Sequence, residues 1–138
     1  FLPAMIVRGR GRVLNVASTA AFVPGPLMAV YYATKHYVLS FSEAIANEVS
    51  HTGVTVTALC PGPTASGFQA GAEIEESRLV KGKQLPTSKE VAEFGYKAML
   101  KGRRVAVHGL GNRLQLFSIR FTPRRLVAAV VRRLQEKG

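Results

Sequence analysis

A tyrosine and a lysine four residues apart, Tyr31 and Lys35, fall on one face of any helix that holds both. That pairing has a definite chemistry. A free phenol titrates near about pH 10 and is a poor base at neutrality, but an adjacent ammonium favours its anion. A phenol placed this way can pass a proton to or from a substrate oxygen. Thirteen residues before Tyr31 stands Ser18, whose hydroxyl can hold the same oxygen and stabilise charge developing on it. Each residue also has a plainer reading. Ser18 suits the cap of a strand end, Tyr31 a packed aromatic and Lys35 a solvated charge, and Tyr32 also lies within a turn of Lys35.

The elements that must position these groups are legible in outline. Gly9-Arg10-Gly11 marks a turn, and 13–17 reads as a short buried strand ending just before Ser18. Pro24-Gly25-Pro26 is a loop. A helix is expected from about Leu27 to Ser50, with Val30, Thr34, Tyr37, Phe41 and Ile45 on its packed face and Gly53 as a left-handed stop. Residues 54–60 are the clearest strand, halted by Pro61-Gly62-Pro63, which can be a strand terminator or a loop over a ligand. A short helix is expected from Ala72 to about Lys81. Thr87 and Glu90 have capping-box spacing for a helix to about Lys101, with Val91, Ala92, Gly95, Ala98 and Met99 inward. Residues 104–108 form a third strand, and Thr122-Pro123 opens a last helix with Thr122 as its cap.

Strand, helix, strand, helix, strand predicts an α/β fold: a partial Rossmann-type, doubly wound parallel sheet of three strands with crossover helices, followed by a basic amphipathic C-terminal helix. The expected organisation is a catalytic region over 1–109 and a basic extension over 110–138. Such sheets carry their sites at the carboxyl ends of the strands. Ser18, Pro61-Gly62-Pro63-Thr64 and His108 stand at those ends, and Tyr31 and Lys35 begin the long helix near the same rim.

Asn15-Val16-Ala17-Ser18, then Tyr31-xxx-Lys35, then Pro61-Gly62, resembles the short-chain dehydrogenases/reductases over residues 1 to about 101, roughly the carboxyl-terminal half of that family's domain. The resemblance implies an NAD- or NADP-dependent oxidoreductase interconverting a carbonyl and a secondary alcohol on a small-molecule substrate. It makes Ser18, Tyr31 and Lys35 catalytic: Ser18 orients the substrate, Tyr31 is the general acid/base, and Lys35 binds the nicotinamide ribose beside Tyr31. It further makes Pro61, Gly62, Thr64 and Ser66 cofactor-binding residues, places Phe68 against substrate within a variable lid over 67–86, and implies a homo-oligomer through the Tyr31 helix. The family's glycine-rich turn, TGxxxGxG, and its NAG motif are absent. Gly109-Leu110-Gly111 follows a strand but has Leu114 where the third glycine would stand. The expectation is therefore a truncated reductase that keeps the nicotinamide side of its cofactor site, lacks the pyrophosphate cradle and is inactive in isolation.

Composition bounds the alternatives. In 138 residues, 47% are hydrophobic and 20% charged, which excludes wholesale disorder. All eight acids are Glu, so no chemistry here rests on an Asp. One cysteine, Cys60, excludes an internal disulfide, reads as a small buried apolar residue, and fits a reducing, cytoplasmic setting. His36, His51 and His108 share no metal spacing, so no metal is expected. Of the net charge of +11, residues 13–100 contribute almost nothing, whereas 101–138 hold ten bases against one acid. Leu126, Val127, Val130, Val131 and Leu134 make one stripe there, with Arg125, Arg132 and Arg133 off it. That helix can pack on its own domain, or contact an anionic membrane through residues 122–138. The second reading of the whole chain is thus a non-enzymatic, cationic membrane-peripheral or binding domain. No recognition motif supports nucleic-acid binding.

Overall fold

The computed structural model describes residues 1–71, 77–82 and 84–136. In chain order its elements are α1 (Leu2–Val7), β1 (Gly11–Val16), a 3-10 turn (Thr19–Phe22), α2 (Ala29–Glu48), β2 (Val54–Cys60), α3 (Phe68–Gly71), α4 (Ser88–Leu100), β3 (Val105–Val107), α5 (Leu110–Ile119) and α6 (Arg124–Gln135). The three strands form one parallel sheet in the order β1-β2-β3. Gly11 pairs with Val54 at one end of the β1–β2 ladder and Val16 with Leu59 at the other. This register brings the ends of β1 and β2 to one rim, with Ser18 beside Pro61.

The central strand is buried on both faces because its alternate residues meet different helices. Val54 and Val56 pack with Ala46 and Val49 at the end of α2, and with Leu2 and Met5 of α1. Ala58 and Cys60 meet Leu39. On the opposite face, Leu59 packs with Val91 and Ala98 of α4 and with Ala106 of β3. Each fully buried Val or Leu side chain contributes about 1.5–3 kcal/mol, so this strand is the main anchor of the sheet. Gly53 turns the chain into it at φ +75°, and a Cβ there would strike the Gly9 carbonyl. At the start of α4, Thr87 Oγ1 accepts from the Glu90 backbone N–H and the Glu90 carboxylate accepts from that of Thr87, as the spacing predicts. These bonds hold the fully exposed Glu90 carboxyl below its ordinary range.

Several expectations are corrected. On α2 the inward stripe is Tyr32, Leu39, Ser42 and Ala46. Val30, Tyr37 and Phe41 are 79%, 67% and 48% exposed, and Thr34 is exposed too. The buried stripe mixes Tyr32 and Leu39 with the small Ser42 and Ala46, and the helix is rotated so that Val30, Tyr37 and Phe41 point out. On α4, Ala92 is exposed and Phe94 takes part in the packing instead. The N-cap of α6 is Pro123, and Thr122 Oγ1 donates back to the Ser118 carbonyl near the end of α5. Two helices, α1 and α5, were not anticipated. Half of the helix expected over 72–81 falls at 72–76, outside the described residues. The described 78–82 are turns, and a four-residue helix, α3, lies upstream.

The basic helix α6 turns half its stripe inward. Val127 and Val131 join Ala20, Val23 and Tyr32 in one apolar cluster, with Met28, Tyr31 and Ile119 around it. Leu126 and Val130 are each 57% exposed. No helix among the described residues is long and apolar enough to cross a membrane.

Candidate active site

Ser18 ends the extended chain leaving β1 and caps the 3-10 turn, its Oγ accepting from the Ala20 backbone N–H at 3.1 Å. The same hydroxyl points its donor toward the Pro61 carbonyl at a long 3.4 Å. The cap reading and the catalytic reading are thus compatible, because a weakly engaged proton remains available to a better acceptor. Lys35 crosses from α2 to β1: its Nζ donates to the Val16 carbonyl at 3.0 Å and lies 5.7 Å from the centre of the Tyr31 ring. One of its three protons is used in that bond, leaving others for a ligand. Tyr31 is half-buried, and its ring leans on Phe68 with centroids 5.0 Å apart. The neighbouring Tyr32 is directed elsewhere, accepting a 2.7 Å hydrogen bond from Gln135 Nε2 of α6 in the interior. Geometry therefore associates Lys35 with Tyr31.

The loop after β2 returns to this cluster. Thr64 Oγ1 donates to the Gly62 carbonyl at 3.0 Å, which tightens the turn. Ser66 is exposed, and its Oγ accepts from the Phe68 backbone N–H at 3.3 Å, so it shapes the loop from its own backbone. Tyr31 thus lies beside Lys35 and Phe68, while Ser18 meets Pro61 at the neighbouring strand ends, with Gly62, Thr64 and Ser66 on the connecting loop.

The family model for short chain dehydrogenases matches residues 1–77, more than half of the chain. The chain belongs to the short-chain dehydrogenase family. Among its relatives is the D-beta-hydroxybutyrate dehydrogenase of Rhizobium meliloti, 39% identical over 61 residues, which are 44% of this chain and 24% of that protein. Among solved structures, a short chain dehydrogenase from Burkholderia cenocepacia in complex with NADP aligns at a TM-score of 0.72 and 23% identity. That alignment covers 97% of this chain and 52% of the other and carries the fold. A point variant of the actinorhodin polyketide ketoreductase with NADPH aligns at 0.66 and 28% identity, covering 79% of this chain and 49% of that one. The chain thus spans about half of these solved structures, and its match covers about a quarter of the hydroxybutyrate dehydrogenase.

Which part of a nicotinamide dinucleotide this short-chain dehydrogenase suits follows from its donors. The Lys35 ammonium beside the half-buried Tyr31, and the Ser18 hydroxyl at the neighbouring strand end, are donors of the kind a nicotinamide ribose and a carbonyl oxygen accept from. The diphosphate finds less. The strand-to-helix turn at Gly109-Leu110-Gly111 is occupied by its own Asn112 side chain, whose Nδ2 donates to the His108 carbonyl at 2.7 Å. A Cβ on Gly109 would lie 3.3 Å from that nitrogen and one on Gly62 only 2.6 Å. Asn112 therefore closes this turn on itself and sits against Gly62 of the Pro61-Gly62 loop.

Two supporting residues, Asn112 and Gln135, escape a sequence reading, and Asn15 enters it only as part of the motif before Ser18, without its structural role. Asn15 Nδ2 donates to Ser42 Oγ at 2.9 Å and Ser42 donates to the Val38 carbonyl at 2.6 Å, tying β1 to α2 and hence Ser18 to the Tyr31 helix. A polar residue inside a strand, facing a serine that the helical period turns inward, was the available signal. His36 Nδ1 contacts the Tyr32 carbonyl, and His108 meets the Phe94 ring. Among the described residues no three of His, Cys, Asp and Glu come together.

Cys60 lies at this rim, fully buried. Burial pushes its thiol up to about 12, against the opposing pull of a Ser18 backbone hydrogen bond and the Lys35 charge. The neutral thiol is the form the fold accommodates. Its contribution is complete below the ordinary thiol value and is lost as pH rises from about 9 toward 12. At pH 8.5 the folded chain should react with iodoacetamide on the order of several hundred-fold more slowly than the urea-unfolded chain, since a thiol at about 12 leaves far less thiolate than an ordinary one. Equal rates, followed by mass spectrometry, would show that Cys60 is neither buried nor neutral.

Proposed function

We propose that this chain is the proton-transfer half of an NAD- or NADP-dependent oxidoreductase that interconverts a ketone and a secondary alcohol. The observation that carries this reading is the bridge made by Lys35, which touches the end of β1 with its ammonium while lying beside Tyr31. One side chain thereby sets the distance between the phenol-bearing helix and the strand that delivers Ser18.

When bound, the nicotinamide supplies hydride for reduction and accepts it in oxidation. The residues of this chain do the rest. Ser18 donates to the substrate carbonyl oxygen and holds it at the rim. Tyr31 gives its hydroxyl proton to that oxygen as carbon gains hydride, so C=O becomes CH–OH, and it takes the proton back in the reverse direction. Lys35 stabilises the phenolate left behind and offers its remaining protons to the nicotinamide ribose. The Pro61-Gly62 loop and the Thr64 backbone would hold the nicotinamide, with Ser66 beside them, and Phe68, against the Tyr31 ring, would face the substrate. These 138 residues hold no TGxxxGxG turn, so the chain by itself is expected to bind NADH or NADPH weakly.

The test is steady-state reduction of a panel of ketones and 3-oxoacyl thioesters with each cofactor, using the protein that carries this chain together with a glycine-rich turn. Turnover that is unchanged in Tyr31→Phe would reject the assignment.

The exposed Val30, Tyr37 and Phe41, the last two stacked at 5.9 Å, support pairing of α2 with its mate in a second copy. Sedimentation velocity should show a dimer or tetramer at micromolar concentration, and Tyr37→Glu should shift it toward monomer. A monomeric wild type would exclude the pairing.

A further inference from the structure

Leu110, Leu114, Phe117 and Phe121 recur at steps of four, three and four along α5 and the turn after it, so they share one stripe. They are 69%, 62%, 59% and 77% exposed. The Phe117 and Phe121 rings meet edge to face at 5.5 Å, so the patch is already assembled. The helix cannot simply roll this stripe inward, because Leu116 and Ile119 on its other side are half-buried, and Ile119 packs against the α6 cluster.

The flank of the stripe is cationic. Arg113 and Arg120 of α5, with Arg103 at the foot of β3, line a cavity of about 330 Å³ whose apolar walls include Phe22, Val105 and Leu116. Among the described residues no carboxylate forms an ion pair with any of these three arginines; the ion pair near this end of the chain joins Arg132 to Glu136. Glu136 is the one acid against ten bases between 101 and 138.

We propose that the outer face of α5 is a docking surface for an anionic phospholipid membrane. Leu110, Leu114, Phe117 and Phe121 enter the boundary between headgroups and acyl chains, and Arg103, Arg113 and Arg120 meet lipid phosphates beside them. Two features select this occupant. An exposed leucine–phenylalanine stripe needs an apolar phase to cover it, which a nucleic-acid backbone does not provide. A second copy of the same face would bring its arginines against these with no acid to offset them. The surface differs from the one expected over 122–138, because α6 has turned Val127 and Val131 into the protein. It is independent of the oxidoreductase reading, since none of its residues touches Ser18, Tyr31 or Lys35.

The chain contains no tryptophan, so Phe117→Trp provides a depth reporter at the centre of the stripe. The full 138-residue chain is mixed with vesicles of phosphatidylcholine alone or with 30 mol% phosphatidylglycerol, and bound protein is separated by sedimentation. The expected result is at least tenfold tighter binding to the anionic vesicles, weakened at least tenfold by raising NaCl from 50 to 500 mM, with a blue shift of the Phe117→Trp emission. Phe117→Ser combined with Phe121→Ser, and Arg113→Gln combined with Arg120→Gln, should each weaken binding at least tenfold with unchanged circular dichroism. No binding to anionic vesicles would overturn the proposal. So would binding that the serine pair leaves intact without an emission shift, since the contact would then be charge alone. A blue shift that grows with protein concentration in the absence of vesicles would assign the face to a second copy instead.

Discussion

Tyr31→Phe should lower carbonyl reduction by about 10²- to 10⁴-fold, the usual contribution of a positioned general acid, while leaving the fold intact. The two halves of that expectation have separate causes. The substitution removes only the hydroxyl, which is the atom that must carry the proton; a phenyl ring has nothing to give to the developing alkoxide. The ring itself keeps its place. Tyr31 makes its contacts through its face and edge, to Phe68 at 5.0 Å and to Tyr32 at 5.9 Å, and phenylalanine preserves both. Its helix is held by other means, through Lys35 on the Val16 carbonyl and Asn15 on Ser42. Initial rates at saturating substrate, read beside thermal unfolding, separate the effects. A large rate loss with an unchanged melting temperature fits a proton donor. A matching fall in both would make Tyr31 a packing residue, and the catalytic role would have to be withdrawn.

Gly25→Ala should lower stability by about 3 kcal/mol, at the upper end of the cost of overpacking, and depress the melting temperature by about 10 °C. Gly25 lies in the loop that leads into α2, and a Cβ there would fall within the Tyr32 ring. The ring has little room to yield. It is 7% exposed, packed on Val127 and Val131, and tethered through its hydroxyl to Gln135. Burial also raises its phenol above the ordinary value, with the Gln135 hydrogen bond pulling the other way and Tyr31 adding to the rise, so burial, not the Gln135 bond, favours the neutral hydroxyl. Displacing Tyr32 therefore loosens α6 from the body and disturbs the residue next to Tyr31 at once. A melting temperature within 2 °C of wild type would mean that the loop moves aside and that the contact does not constrain the helix.

Such couplings explain which features could be read in advance. The sheet was legible because its signals are local: 54–60 is rich in β-branched residues and ends at Pro61-Gly62-Pro63, and β2 occupies that interval. The capping box at Thr87 and Glu90 was legible for the same reason, since its partners are three residues apart. The buried face of α2 was not, because periodicity locates a stripe without saying which stripe. Tyr32, Leu39, Ser42 and Ala46 are the inward residues, and only contact with the sheet and α6 shows that this stripe is the buried one. The short α1 was hidden by Pro3 in its first turn and by a length too small to establish a period. In α5, one apolar side faces out as fully as the other packs in, so neither its type nor its orientation was marked.

The sequence by itself determined the order of elements, the parallel α/β class and the spacing of Ser18, Tyr31 and Lys35, because strand propensity, proline and glycine punctuation and helical stacking act over a few residues. The tertiary structure alone decided that Tyr32 turns inward to Gln135, that Asn112 closes the last glycine turn on itself against Gly62, and that α5 keeps its apolar stripe outside while α6 buries half of its own. Each depends on residues far apart in the chain competing for the same space. Tyr32 is drawn inward by Gln135, 103 residues away, and no local pattern records a contact of that kind.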